Sequence, residues 1–148
     1  MGKLSLWRVI CLLGVFCALT VIASPAETFT TLVIFNGTDG ANPHATLIQG
    51  LNGNFYGTTT AEGAHAGGTV FEITPGGKLT TLYSFCSQLN CTDGADPIAG
   101  LVQATNGNFY GTTYVGGAHG CGTVFEITPG GQLTTLYKFC SQPSGTDG

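Results

Sequence analysis

Residues Gly68 to Phe85, GTVFEITPGGKLTTLYSF, return at Gly122 to Phe139 as GTVFEITPGGQLTTLYKF, with only Lys78/Gln132 and Ser84/Lys138 changed. Two further landmarks keep the same spacing. NGNFYGTT starts at Asn52 and Asn106, and TDG starts at Thr38, Thr92 and Thr146, each step being 54 residues. Self-similarity at a fixed period restricts a chain to repeat architectures, in which one supersecondary unit is stacked on the next. FTTL at Phe29 stands 50 residues before LTTL at Leu79, because Asn36 follows Phe35 where the next copy carries the longer CSQLN. The spacing predicts full units over about residues 37–90 and 91–144, with a partial unit at 145–148 and a partial one before the first.

Each unit reads as four strands separated by turns. Segment A is Gly100 to Ala104, matching Thr46 to Gly50; B is Asn108 to Thr113; C is Thr123 to Thr128; D is Leu133 to Phe139. Thr, Val, Phe, Tyr and Ile dominate these segments, and no stretch has helical periodicity. Thr105-Asn106-Gly107 joins A to B and Pro129-Gly130-Gly131 joins C to D, both tight-hairpin signals. Gly makes up 24 of 148 residues while charged residues are only 8%, which favours short strands over helices with charged faces. The expected fold is therefore all-β: antiparallel four-stranded β-propeller-like blades, too few to close a ring of typically 4–8. Kelch and WD40 units have comparable lengths, but their signature dipeptides are missing. An extended β array or solenoid is the competing architecture.

Residues 1–26 read as a secretory signal peptide, leaving 27–148 as the repeat region. Lys3 and Arg8 precede the apolar run Val9 to Ala23, which is shorter than the roughly 20 residues of a spanning helix, and small residues follow it. An uncleaved anchor is the alternative; no other segment is apolar enough to span. Without the signal, Lys78 and Lys138 face eight acidic residues, a net charge of −6. A surface this poor in Lys and Arg excludes nucleic acid as an expected partner.

Cys11 and Cys17 lie in the signal, leaving Cys86, Cys91, Cys121 and Cys140. An even number in an exported chain favours disulfides. Cys86 and Cys91 share one D-to-A loop, which permits a local bridge. Cys121 stands where the first copy has Gly67, and Gly145 stands where it has Cys91. A hairpin centred between Gly130 and Gly131 sets Cys121 opposite Cys140, at a Cα separation that a disulfide tolerates. A bulged turn would make that contact diagonal. The expected pairs are Cys86 with Cys91 and Cys121 with Cys140, against free thiols or other pairings.

GLVQATNGNFYGTT, the Gly-Gly-Ala loop, GTVFEITPGG, LTTLYKFCSQ and TDGADP together resemble the GloVer tandem repeat of exported bacterial proteins. The match covers nearly all of the chain after the signal. The resemblance implies secretion, tandem copies and often a C-terminal sorting or anchoring segment, and implies no known enzymatic activity. This chain ends at Gly148 inside a D-to-A connection, so a fragment of a longer protein is expected, or self-association if the chain is complete. The leading Phe29 to Phe35 reads as an unpaired D strand that would close the ring on the last blade.

Short A-to-B and C-to-D links define one face of a blade, and the longer B-to-C and D-to-A links define the other. Binding residues accumulate on loops held by a rigid scaffold, so the second face is the candidate site. It carries Asp39, Asp93, Asp96, His44, His65 and His119. Asp93 to Pro97 and its counterpart Asp39 to Pro43 offer oxygen ligands for a hard cation, but Asp before Gly more often builds a turn, and no full calcium loop is present. No metal site and no cofactor are expected. His65 and His119 occupy equivalent positions, which argues against a single catalytic base. Glu72 and Glu126 read as solvated strand residues, and Tyr56 and Tyr110 as packing between blades rather than sugar platforms. Asn36-Gly-Thr38 and Asn90-Cys-Thr92 match the glycosylation acceptor, a match that the bacterial resemblance makes idle. No nucleophile elbow, HExxH or paired-Cys zinc spacing occurs, and no catalytic residue is assigned.

The expected function is that of a secreted, non-enzymatic binding or structural module. Its loop face would meet an extracellular carbohydrate or protein. The alternative is a fragment of a propeller-type glycan-active hydrolase or lyase whose catalytic residues lie outside this chain. A purely structural spacer is the third reading.

Overall fold

A computed structural model describes residues 27–142 and 146–147. Residues 1–26, read above as a signal peptide, lie outside the described residues, as do residues 145 and 148 of the partial unit 145–148. Residues 27–30 are exposed and carry no regular structure. From Thr31 onward the chain forms one compact unit. Its strands are β1 Ile48–Gln49, β2 Phe55–Thr59, β3 Thr69–Ile73, β4 Leu79–Ser84, β5 Val102–Gln103, β6 Phe109–Thr113, β7 Thr123–Ile127 and β8 Leu133–Lys138. They make two four-stranded antiparallel sheets, β1-β2-β3-β4 and β5-β6-β7-β8, each in chain order. The described residues are all-β; among them the D-to-A connection of the first unit adds one short 3-10 turn at Leu89–Cys91. Among the described residues no helix is long and apolar enough to cross a membrane.

Both hairpin turns of a unit are three-residue loops. Gly107 N donates to Ala104 O at 2.9 Å and Ala104 N to Asn108 O at 3.0 Å; Gly131 N donates to Thr128 O at 2.9 Å and Thr128 N to Gln132 O at 3.0 Å. In each loop the last residue is a glycine in the left-handed region, Gly107 at φ 84° and Gly131 at φ 85°, where a side chain would be strained. The C-to-D turn is thus centred on residue 130, and β7 pairs with β8 one residue out of the expected register, Ile127 opposite Leu133 and Phe125 opposite Thr135. A bulge at Leu136 then inserts one residue, so that Val124 faces Tyr137 and Thr123 faces Lys138. The two departures offset each other. Cys121 and Cys140 meet at the open end of the hairpin, bridged with Cα atoms 5.9 Å apart, while Cys86 is bridged to Cys91 at 4.0 Å.

Alternation gives each sheet two apolar faces. Phe71 and Ile73 point to the rear of the first sheet, Tyr56, Thr58 and Val70 forward, onto the second. The core lies between the sheets. Tyr56, Val70 and Phe85 meet Leu101, Phe109, Phe125 and Ile127, all of them buried. Each such side chain contributes about 1.5–3 kcal/mol through burial. Tyr56 stacks on Phe109 at 4.1 Å, and Phe85 meets Phe125 edge-on at 5.1 Å. Gly111 sits opposite Phe125 in the β6–β7 ladder, and a Cβ there would fall 2.6 Å from the ring. The glycine therefore makes room for the neighbouring aromatic.

Phe29 to Phe35 is not a strand. Among the described residues no C strand pairs with it, and Ile34 is 82% exposed. Its end nevertheless reproduces a contact between the sheets. Phe35 meets Phe71 edge-on at 5.0 Å as Phe85 meets Phe125, and a Cβ on Gly77 would lie 2.8 Å from the Leu32 carbonyl, as one on Gly131 would meet that of Leu82.

Candidate functional site

The loop face is held by a bracing network that recurs in both units. Asp93 is fully buried, and its carboxylate accepts hydrogen bonds from Tyr83 Oη at 2.8 Å, Ser87 N at 3.0 Å, Ser87 Oγ at 2.9 Å and Gln88 N at 3.3 Å. Four donors compensate the removal of this charge from water. Burial pushes the Tyr83 hydroxyl up to about 12, and the Asp93 carboxylate adds to the rise while the Ser87 hydrogen bond opposes it. One repeat later Asp147 accepts from Tyr137 Oη at 2.6 Å, Ser141 N at 2.9 Å, Ser141 Oγ at 2.9 Å and Gln142 N at 3.3 Å. The bond from Tyr137 holds the Asp147 carboxyl well below the usual carboxylate range. Asp39, in the shorter first loop, accepts from Asn36 N at 2.8 Å, and its carbonyl accepts from Thr69 Oγ1 at 3.2 Å.

The loop so braced is pressed onto the next unit. Gly94, at φ 101°, lies against the buried pair Thr113 and Thr123, whose hydroxyls are 3.0 Å apart; a Cβ would fall 2.7 Å from the Thr123 hydroxyl. Ala95 bridges Val115 in both directions, and Asp96 N donates to Gly67 O at 2.9 Å. The D-to-A loop of one unit therefore lies between the B-to-C loops of its own unit and the next.

That junction leaves an open cleft of about 490 Å³ lined by His44, Thr60, Ala61, Asp96, Ile98 and Tyr114. Of the residues expected on this face, the cleft gathers His44 and Asp96. Asp39 and Asp93 lie in the bracing loops, and His65 and His119 are exposed on the B-to-C loops outside the cleft. The sequence pointed to Asp and His residues on this face and not to Tyr114, Thr60 or Ile98 within it. The available signal was that Tyr114 departs from Thr60 at the same register. Among the described residues no group of three or more His, Cys, Asp or Glu is placed to hold a metal ion. A second concavity, about 520 Å³, lies along Ile98, Ala99, Thr112, Thr113, Tyr114, Cys121 and Phe139.

The hairpin face carries another network. Glu72 accepts from Asn54 Nδ2 and Tyr56 Oη, each at 2.7 Å, and from Asn52 Nδ2 at 3.4 Å. The Asn54 and Tyr56 bonds lower its pKa against the effect of burial; burial raises that of Tyr56, and Glu72 adds to it. In the other unit Asn108 Nδ2 donates to Glu126. These glutamates tie the A-to-B hairpin to strand C, a role that alternation alone does not reveal.

A family model for the Gloeobacter/Verrucomicrobia repeat matches residues 14–148. The chain belongs to that repeat family. The match takes in both sheets, the bracing loops and the cleft, so the arrangement described here is that of family repeats in tandem. No curated protein matches the chain.

Proposed function

We propose that the chain is an exported, non-enzymatic repeat module whose units stack as propeller-like blades. Its loop face binds an extracellular carbohydrate or protein. Export is supported by the Lys3 to Ala23 pattern and by two disulfides, which persist in oxidising compartments. Blade-like stacking is supported by the junction. Phe85 on Phe125 and Phe35 on Phe71 are the same contact one unit apart, and a repeated packing relation is what extends an array or closes a ring.

The observation that carries the binding reading is the cleft at the junction. The Asp93 and Asp147 networks are spent on holding loops, whereas His44, Asp96 and Tyr114 face an open concavity on that rigid frame. The test is to present the chain to glycan and extracellular-protein arrays and to incubate it with the bound glycans. Binding without turnover supports the reading; release of shortened or unsaturated glycan products refutes it.

A further inference from the structure

Six residues line the junction cleft, yet they come from only four places in the repeat: 42/96, 44/98, 60/114 and 61/115. The copies differ at every one of them, as Asn42/Asp96, His44/Ile98, Thr60/Tyr114 and Ala61/Val115. Over the whole register, 37–90 against 91–144, they differ at 16 of 54 positions, so one or two changes in four would be the unselected outcome. The frame behaves oppositely. Asn52 to Thr59 is identical to Asn106 to Thr113, and Thr69 to Gly77 to Thr123 to Gly131. An amide becomes a carboxylate, an imidazole an aliphatic chain and a hydroxyl a phenol, while the backbone beneath is kept: Asn42 and Asp96 share the left-handed conformation, φ 58° and 54°.

The chemistry of the lining indicates what it would hold. Tyr114 is 67% exposed and Ile98 49%, which together make an apolar platform in solvent. Among the described residues no hydrogen bond reaches the Asp96 carboxylate, leaving its oxygens open to donors. Thr60 and His44 add polar groups to the same rim. A pyranose presents an apolar C–H face suited to stacking on an aromatic ring, and hydroxyls at its edge that donate to a carboxylate. The volume falls within the roughly 300–1,000 Å³ of small-ligand sites. A chain with two lysines against eight acidic residues after its signal segment repels anionic glycans.

We propose that the cleft is a subsite for one ring of a neutral oligosaccharide. Tyr114 and Asp96 hold the ring, and the four varying pairs set which sugar each inter-unit junction accepts. This rests on the loop-face binding reading and deepens it.

The test is calorimetric titration of the full chain with neutral gluco-, xylo-, manno- and N-acetylglucosamine oligosaccharides and with oligouronates as anionic counterparts. The variants Tyr114→Thr and Asp96→Asn place the other copy's residue in the cleft, so the fold tolerates both side chains at that register. The expected result is binding of at least one neutral series and not of oligouronates. Tyr114→Thr should weaken that binding tenfold or more and Asp96→Asn several-fold, with His65→Ala, on the same face but outside the cleft, without effect. Neutral-sugar binding unchanged in both cleft variants overturns the assignment to this cleft and leaves carbohydrate binding by the loop face standing. Preference for oligouronates overturns the neutral ligand class. Absence of binding by every sugar overturns the inference, and the wider reading is then decided by the protein array alone.

Discussion

The two sheets are built from almost the same residues, and they are buried differently. Tyr56, Thr58 and Val70 on the forward face of the first sheet are 1%, 2% and 0% exposed. Their counterparts on the second, Tyr110, Thr112 and Val124, are half-buried or exposed. Phe85 is fully buried and Phe139 only half-buried, whereas the rear-facing Phe71 and Phe125 are buried in both sheets. The rear of the second sheet is covered by the forward face of the first, through Tyr56, Val70 and Phe85, and the rear of the first meets Phe35. The forward face of the second sheet has no following unit upon it among the described residues. Burial is thus a property of the neighbour as much as of the residue, and the same substitution in the two copies should differ in cost.

The widest gap is expected for phenylalanine. Phe85→Ala should lower unfolding free energy by about 3–5 kcal/mol, the range for truncating a buried aromatic. Phe139→Ala should cost about 1–2 kcal/mol, since Phe139 is only half-buried. Urea unfolding of both variants measures the gap. Equal losses would mean that another unit covers the forward face of the second sheet in solution.

The disulfides give the next contrast. By chain entropy the bridge Cys121–Cys140, of sequence separation 19, is worth about 3 kcal/mol and Cys86–Cys91, of separation 5, about 2 kcal/mol. Replacing each pair with serine and comparing melts checks the order. The contrast can also be removed. The hairpins share one register, so the double change G67C/C91G should give the first hairpin the bridge of the second once the loop shifts to relieve a Cβ on Gly67 that would fall 2.8 Å from that of Cys86, closer than the roughly 3.5–4.5 Å of a disulfide; mass mapping of a non-reduced digest detects it. A free thiol at residue 86 in that variant would show that the hairpins differ in register after all.

The bracing carboxylates should differ less. Asp93→Ala leaves Tyr83, Ser87 and two backbone amides without their acceptor at a buried site and should cost about 2–3 kcal/mol. Asp147→Ala should cost clearly less, because water replaces the lost acceptor there. Comparable denaturation midpoints for the two variants would contradict that ranking.

The smallest effect is in pH. The Tyr83 pKa rises from about 10 in the unfolded chain to about 12 in the folded one. The folded state keeps a proton that the unfolded state loses, so this contribution is complete below about pH 10 and declines as pH rises toward about 12. Tyr83→Phe should flatten the stability profile between those limits. Glu72 and Asp147, lowered in the folded state, act oppositely: their contributions are present at neutral pH and fade as pH falls below the ordinary carboxylate range.

Much of the fold was legible because its causes are local. Turn glycines and β-branched runs mark all four segments of each unit, and the copies confirm one another. Segment A was less legible, shrinking from Gly100–Ala104 to Val102–Gln103, because ladder pairing ends before the flanking residues do. The register argument for Cys121 with Cys140 allowed for a bulged turn but not for the second bulge at Leu136, whose shift cancels that of the three-residue turn. The candidate site was partly legible. Loop lengths placed His44, Asp96 and the link that begins at Tyr114 on one face, but not their meeting in one cleft, which depends on the neighbouring unit.

The sequence by itself determined the repeat, the all-β class, the order of strands within a unit and the residues that demand turns, since these follow from spacing and backbone preference. Only the tertiary structure decided that Asp93 is a buried brace while Asp96 opens into a cleft. The two residues stand three apart in one loop, and they are separated by where the next unit presses against the backbone between them.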